Sequence, residues 1–127
     1  YETNLGHTLE ECCGYVERIG STVLKVVGDT FHMNIEEASL PGAIEKAGAR
    51  LAHLHLPDSH RLAPGDGHID FPPIFDALRR IGYSGYVSFE FFWISPRLAY
   101  LPTFEACDAE VRKGLECLRR LGVLNRE

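Results

Sequence analysis

Arg50-Leu51-Ala52-His53-Leu54-His55-Leu56 alternates residue by residue, with Ala52, Leu54 and Leu56 on one face and Leu51, His53 and His55 on the other. That period belongs to a strand, here one with a polar carboxyl end. Upstream, Val23-Leu24-Lys25-Val26-Val27 is apolar and β-branched and stops at Gly28-Asp29, which predicts a buried parallel strand opening into a polar loop. Downstream, Tyr86-Val87-Ser88-Phe89-Glu90-Phe91 reads as a third strand. Helical patterns surround these segments. Thr8-Leu9-Glu10-Glu11 is a capping box, and Leu9, Cys12, Val16 and Ile19 follow at helical spacing, predicting a helix over 8–19 ended by Gly20. A short helix is expected over 40–47. Asp70 is placed to cap a helix whose Ile74, Leu78 and Ile81 face inward and which Gly82 stops. Cys107, Val111, Leu115 and Leu118 form the apolar stripe of a last helix. The order αβαβαβα predicts an α/β fold of about three parallel strands and four helices with right-handed crossovers, in an open sheet or in part of a barrel.

Composition fits one domain spanning 1–127. The 127 residues are 45% hydrophobic, and a chain of this size buries roughly two-thirds of its unfolded surface without disulfide or metal staples. Eighteen Asp and Glu against 13 Lys and Arg leave a charge of −5 with no basic run, which argues against a nucleic-acid partner. No run of about 18 apolar residues is present, so no membrane span is expected. Cys12, Cys13, Cys107 and Cys117 make neither a CxxC nor a zinc spacing, which predicts reduced thiols and a cytoplasmic location. Adjacent Cys12 and Cys13 point to different sides of a helix, one into the core and the other near the surface. The start at Tyr1, without an initiator Met, is read as not the natural beginning of the polypeptide.

Asp29, His55 and Glu90 each fall at or just past the carboxyl end of a predicted strand, where α/β folds place their sites. Neighbouring parallel strands would bring the three together. Two carboxylates and an imidazole suit a divalent ion of intermediate hardness such as Mn²⁺, Co²⁺ or Mg²⁺. Each residue also has a simpler reading: Asp29 as a turn or N-cap aspartate, His55 as a hydrogen-bonded histidine, Glu90 as the partner of an Arg or Lys.

The runs Gly28-Asp29-Thr30-Phe31-His32-Met33-Asn34-Ile35-Glu36-Glu37, His53-Leu54-His55, and Pro64-Gly65-Asp66-Gly67-His68-Ile69-Asp70-Phe71 resemble the xylose-isomerase-like TIM barrels. Ala77-Leu78-Arg79-Arg80-Ile81-Gly82-Tyr83-Ser84-Gly85-Tyr86-Val87-Ser88-Phe89-Glu90 does so too, and the nearest likeness is to ketose 3-epimerases of the tagatose/psicose type. The resemblance implies a partial (β/α)8 barrel, its carboxyl-terminal half, with a divalent metal, usually manganese, held by Asp29, His55 and Glu90. Relatives carry one more ligand Glu shortly before a motif similar to Tyr1-Glu2-Thr3-Asn4, so the chain is expected to begin just after the strand that bears it. The resemblance also implies that Glu2, His32 and Arg61 hold the oxygens of a small sugar or sugar phosphate. Taken alone, Glu2 reads as a terminal residue, His32 as a loop histidine and Arg61 as a surface partner of Asp58 or Asp66. His53 is expected to support His55, His60 and His68 to be solvated loop histidines, and Trp93 with Phe91 and Phe92 to wall a sugar pocket. His60 and Pro57-Asp58 depart from the family's usual Asn and Gly-Glu.

In such a site Glu90 moves the C3 proton of a ketose through an enediolate, and the second Glu acts on the opposite face. A whole barrel of this type needs about 250 residues. Three strands alone leave apolar parallel edges, so pairing into a homo-oligomer or with a missing amino-terminal half is expected. Two other functional readings are open: a non-catalytic half-barrel that assembles and binds metal or sugar weakly, and a metal-dependent apurinic-site endonuclease, which the negative charge disfavours.

Overall fold

Three strands pair side by side in chain order, all parallel: β1 (Val26–Asp29), β2 (Leu51–His55) and β3 (Tyr86–Ser88). The computed structural model describes residues 3–91 and 103–124. Among these residues five α-helices occur: α1 (Leu9–Ile19), α2 (Thr30–Glu36), α3 (Leu40–Ala47), α4 (Phe71–Arg80) and α5 (Phe104–Arg120), with a 3₁₀ turn at Gly48–Arg50. None is long and apolar enough to cross a membrane.

Thr8 caps the helix as expected, while the returning Glu11 bond of the box reaches His7 one residue earlier. Thr8 accepts from the Glu11 amide, Glu11 Oε2 accepts from the His7 amide, and Gly20 ends α1 at φ 70°. Leu9 and Cys13 are buried while Cys12 is half-buried, so the cysteine pair splits as expected; Ile19 stays exposed at the helix end. The four cysteines are free thiols. Helix α3 matches its predicted range and is capped by Ser39. Asp70 occupies the N-cap position of α4 but makes no capping bond. The amides that a cap would accept from belong to Pro72 and Pro73, which have no N–H.

The first strand runs later than the sequence suggests. Ser21 Oγ accepts from the amides of Val23 and Leu24, which holds that stretch in a turn and leaves Val23 85% exposed. Pairing therefore runs from Val26 to Asp29. Helix α2 is an addition to the expected four: Asp29 caps it, with Oδ1 accepting from the amides of Phe31 and His32. The third strand is shorter than predicted and stops at Ser88.

The register explains which residues share a face. Val27, His53 and Tyr86 lie level, as do Asp29, His55 and Ser88, while Leu54 sits beside Gly28 and Val87 on the opposite face. That second face meets the helices in a core of Leu54, Leu56, Ile44, Ile74, Phe75 and Leu118. Pairing skips Ala52, so Leu51 turns into the core with Leu54 and Ala52 is exposed, against the strict alternation expected. Beside Gly28 a Cβ would sit 2.9 Å from Leu54 Cδ1, so a larger residue there would have to push the buried Leu54 side chain aside. On the site face Val27 is 55% and Tyr86 84% exposed.

Helix α5 buries Leu118 as its apolar spacing predicts, but the predicted stripe fails at Val111 and the inward face extends over residues that spacing did not mark. Glu110, Gly114, Cys117 and Leu118 are buried and Val111 is exposed. Its partner is polar loop as much as apolar core: Glu110 Oε2 accepts from the Ala63 amide, and Gly114 leaves room for the Phe89 ring, which an added Cβ would meet at 2.6 Å.

Candidate functional site

Parallel pairing places Asp29 beside His55 at the carboxyl rim, and Glu90 follows two residues after β3. Phe89 anchors that segment by filling the notch at Gly114 and stacking on Phe91, with ring centroids 5.5 Å apart. His55 Nδ1 lies 3.3 Å from Asp29 Oδ2 and 3.0 Å from Glu90 Oε2. One donor atom from each of the three residues falls within 4.8 Å of the others.

Arg61 completes the group. Its Nη2 donates to Glu90 Oε2 at 2.8 Å and lies 3.8 Å from Asp29 Oδ2, while Nη1 is 2.6 Å from His32 Nε2. The guanidinium carbon also stands 4.9 Å from the centre of the Phe31 ring. Arg61 is buried, and its guanidinium pairs with Glu90 rather than with the carboxylate of Asp58 or Asp66. Asp66 pairs with Lys113, and Asp58 is buried in its own loop. His32, projecting from α2, belongs to the site as expected. Glu2, Phe92 and Trp93 lie outside the described residues.

The simple and the functional readings of these residues coexist. Asp29 is an N-cap through Oδ1, and its Oδ2 is buried without a hydrogen-bond partner although His55 is near. A buried carboxylate oxygen left open beside an imidazole and a second carboxylate is a vacancy in bonding that a divalent cation fits. Burial first, and then the neighbouring Glu90, push the Asp29 carboxyl above its ordinary value. Burial acts upward on Glu90 as well, but Asp29, Arg61 and His55 outweigh it and hold Glu90 below its ordinary value. The two carboxyls thus split, as close acid pairs do.

His53 Nε2 bonds Ser88 Oγ at 2.8 Å, and its ring meets that of His55 edge-on with centroids 5.0 Å apart. It therefore packs against His55 rather than bonding the three acidic and basic groups. His68 is exposed and 3.3 Å from Asn34 Nδ2. His60 is not solvated as expected: it is half-buried, with Nδ1 enclosed and unpartnered.

Sequence reasoning missed Asp58. Its Oδ1 accepts from the amides of Ser59 and Ile69 and its Oδ2 from those of Gly65 and Gly67. Burial alone would raise this carboxyl, yet the four N–H groups hold it below its ordinary value. Such a group stabilises the fold above the unfolded-state value of about 4, and the contribution is lost as pH falls through the depressed folded-state value. Asp58→Asn is therefore expected to flatten the acid limb of a melting-temperature profile below about pH 4, read by calorimetry. An acid limb as steep as that of the unsubstituted protein would contradict it.

Consecutive parallel strands with acidic and imidazole side chains gathered at their carboxyl rim define part of a (β/α) barrel with its site in the usual place. A family model described as xylose isomerase-like TIM barrel matches residues 1–121, and the chain belongs to that family. It is 49% identical over 85 residues to a D-psicose 3-epimerase of Enterocloster bolteae, covering 67% of this chain and 28% of that protein. An L-ribulose 3-epimerase of Mesorhizobium japonicum is 44% identical over 92 residues, covering 72% and 31% of the two chains. The crystal structure of D-psicose 3-epimerase with D-tagatose from Clostridium cellulolyticum H10 superposes with a TM-score of 0.84 at 34% identity, over 94% of this chain and 45% of that one. The matched part thus spans less than half of each of these relatives.

Proposed function

We propose that this chain forms the carboxyl-terminal half of a metal-dependent ketose 3-epimerase-type barrel acting on a small sugar. The observation that carries the reading is the convergence of Asp29, His55 and Glu90 within 4.8 Å around a buried Asp29 oxygen that lacks a hydrogen-bond partner. Asp29 Oδ2, His55 Nδ1 and a Glu90 oxygen would hold the cation, with Mn²⁺ the best fit to the mixed oxygen and nitrogen set and Co²⁺ or Mg²⁺ as alternatives. When bound, it supplies electrostatic stabilisation for the enediolate that deprotonation creates.

Glu90 takes and returns the C3 proton. Its carboxyl is held below its ordinary value and is ionised at neutral pH, as a base must be. Its Oε2 accepts from Arg61 Nη2, which orients the group and leaves Oε1 to receive the proton. Arg61 and His32, bonded to each other beside Glu90, hold the sugar oxygens next to the reacting carbon; Glu2 is assigned the same role from the sequence. Inversion requires a second carboxylate on the opposite face, assigned to the strand that precedes the matched region in relatives. The exposed site face around Val27 and Tyr86 is where that remaining half, or a second copy of this chain, would close the barrel. Free thiols suit a reducing cytoplasmic setting.

The test is hydrogen exchange. A ketohexose incubated in D₂O with the Mn²⁺-loaded protein is expected to gain deuterium at C3, read by NMR, and to yield its C3 epimer only when the half that carries the second carboxylate is supplied. No exchange with saturating Mn²⁺, Co²⁺ or Mg²⁺ from a protein that sediments as a self-associated species would favour the non-catalytic assembling half-barrel instead.

A further inference from the structure

Arg61 is the single non-glycine residue with positive φ among the described residues, at 62°. A side chain in that region is strained, and such strain persists only where surrounding structure over-determines it. Here the Arg61 amide donates to the Asp58 carbonyl at 2.8 Å and the Asp58 amide donates to the Leu62 carbonyl at 2.9 Å. Arg61 therefore fills the left-handed corner of a tight loop, a position that ordinarily takes glycine.

The Asp58 carboxylate lies at the centre of the segment that enforces this corner. It is fully buried and gathers the amides of residues 59, 65, 67 and 69, each within 2.7–3.1 Å. Burying a carboxylate is costly unless its lone pairs are met, and an apolar side chain would anchor a loop more cheaply. What the carboxylate adds is a fixed point on which four peptide groups from a long connection converge. Gly67 approaches so closely that a Cβ there would lie 2.1 Å from Asp58 Oδ1. On the far side Glu110 of α5 holds the Ala63 amide. The residue clamped between these fixtures is Arg61, whose guanidinium reaches Glu90 and His32.

We propose that Asp58 is a positioning residue that acts through the backbone of its loop to hold the Arg61 guanidinium on Glu90. Asp58 touches no substrate and makes no bond to the guanidinium. Its consequence for turnover rests on the function proposed above: without it, substrate affinity falls more than the rate constant. Its consequence for Arg61 does not depend on turnover.

The experiment is ¹⁵N NMR of the arginine Nε–H groups in the folded protein, with the Arg61 signal assigned by its loss in Arg61→Lys. The expected signal is separate and slow to exchange with water. Asp58→Asn, which converts one acceptor oxygen to a donor, and Gly67→Ala, which displaces the carboxylate without removing its charge, should each move it to the fast-exchanging free-arginine position. Asp66→Asn, an exposed change in the same loop, should leave it in place. The proposal is overturned by a wild-type Arg61 signal that already exchanges like solvated arginine. An unchanged Arg61 signal in a folded Asp58→Asn or Gly67→Ala protein overturns it equally. Should Asp58→Asn not fold, Gly67→Ala decides. Loss of the slow signal in a protein that never exchanges C3 hydrogen would sustain the role of Asp58 while refuting the epimerase reading.

Discussion

Glu90→Gln is expected to lower C3 deuterium exchange by about 10³-fold, within the 10²–10⁴ range that a positioned general base contributes. Gln has nearly the size of Glu, and the anchoring of the segment comes from Phe89 in the Gly114 notch, so the fold should survive. What changes is the base itself, together with the anion that Arg61 Nη2 and His55 Nδ1 both face. Arg61 keeps its contacts with His32 and with the Phe31 ring, which limits the cost of losing one partner. Two readouts on the same protein separate the possibilities. A large loss of exchange with cation still bound assigns proton transfer to Glu90. Reduced cation content with an unaltered exchange rate would remove Glu90 from the chemistry and leave it a ligand only.

The parts of this site that were legible in the sequence are those written in a strand's period of two. Asp29 and His55 end strands that pair in parallel, so their meeting follows from alternation and order. Glu90 is reached differently: β3 stops at Ser88, and the Glu90 carboxyl is brought in by packing of Phe89 on α5, which no local pattern announces. Helix α2 escaped notice because seven residues give too short a run for helical periodicity, although Asp29 as an N-cap was its one visible sign. The displaced start of β1 turned on a Ser21 side-chain bond that competes with strand pairing. Val111 was assigned to the buried stripe of α5 by hydrophobicity, yet the helix packs on a polar loop and a phenyl ring, so its small and acidic residues face inward. Asp58 was illegible for the same reason: its four donors come from positions 59, 65, 67 and 69, and nothing in their identities reveals that their amides converge.

Asp29 has two functions in one carboxylate, and two substitutions should separate them. Oδ1 caps α2, while the buried Oδ2 faces His55 and Glu90. Asn caps a helix about as well as Asp, so Asp29→Asn should melt close to the unsubstituted protein without added cation. Removing a carboxyl that burial and Glu90 push upward also removes an unfavourable charge, so any shift should be upward at neutral pH. Asp29→Ala loses the cap as well and should be less stable by about 1 kcal/mol, roughly 4 °C in melting temperature. Addition of Mn²⁺ makes the second distinction. A cation at about 100 times its dissociation constant stabilises the folded state by about 2.7 kcal/mol, and this upward shift should appear in the unsubstituted protein but be lost in both variants. Equal Mn²⁺-induced shifts in all three proteins would show that the cation binds elsewhere. A drop in Asp29→Asn as large as in Asp29→Ala would instead mean that the anionic charge of Asp29, rather than its capping oxygen, secures the start of α2.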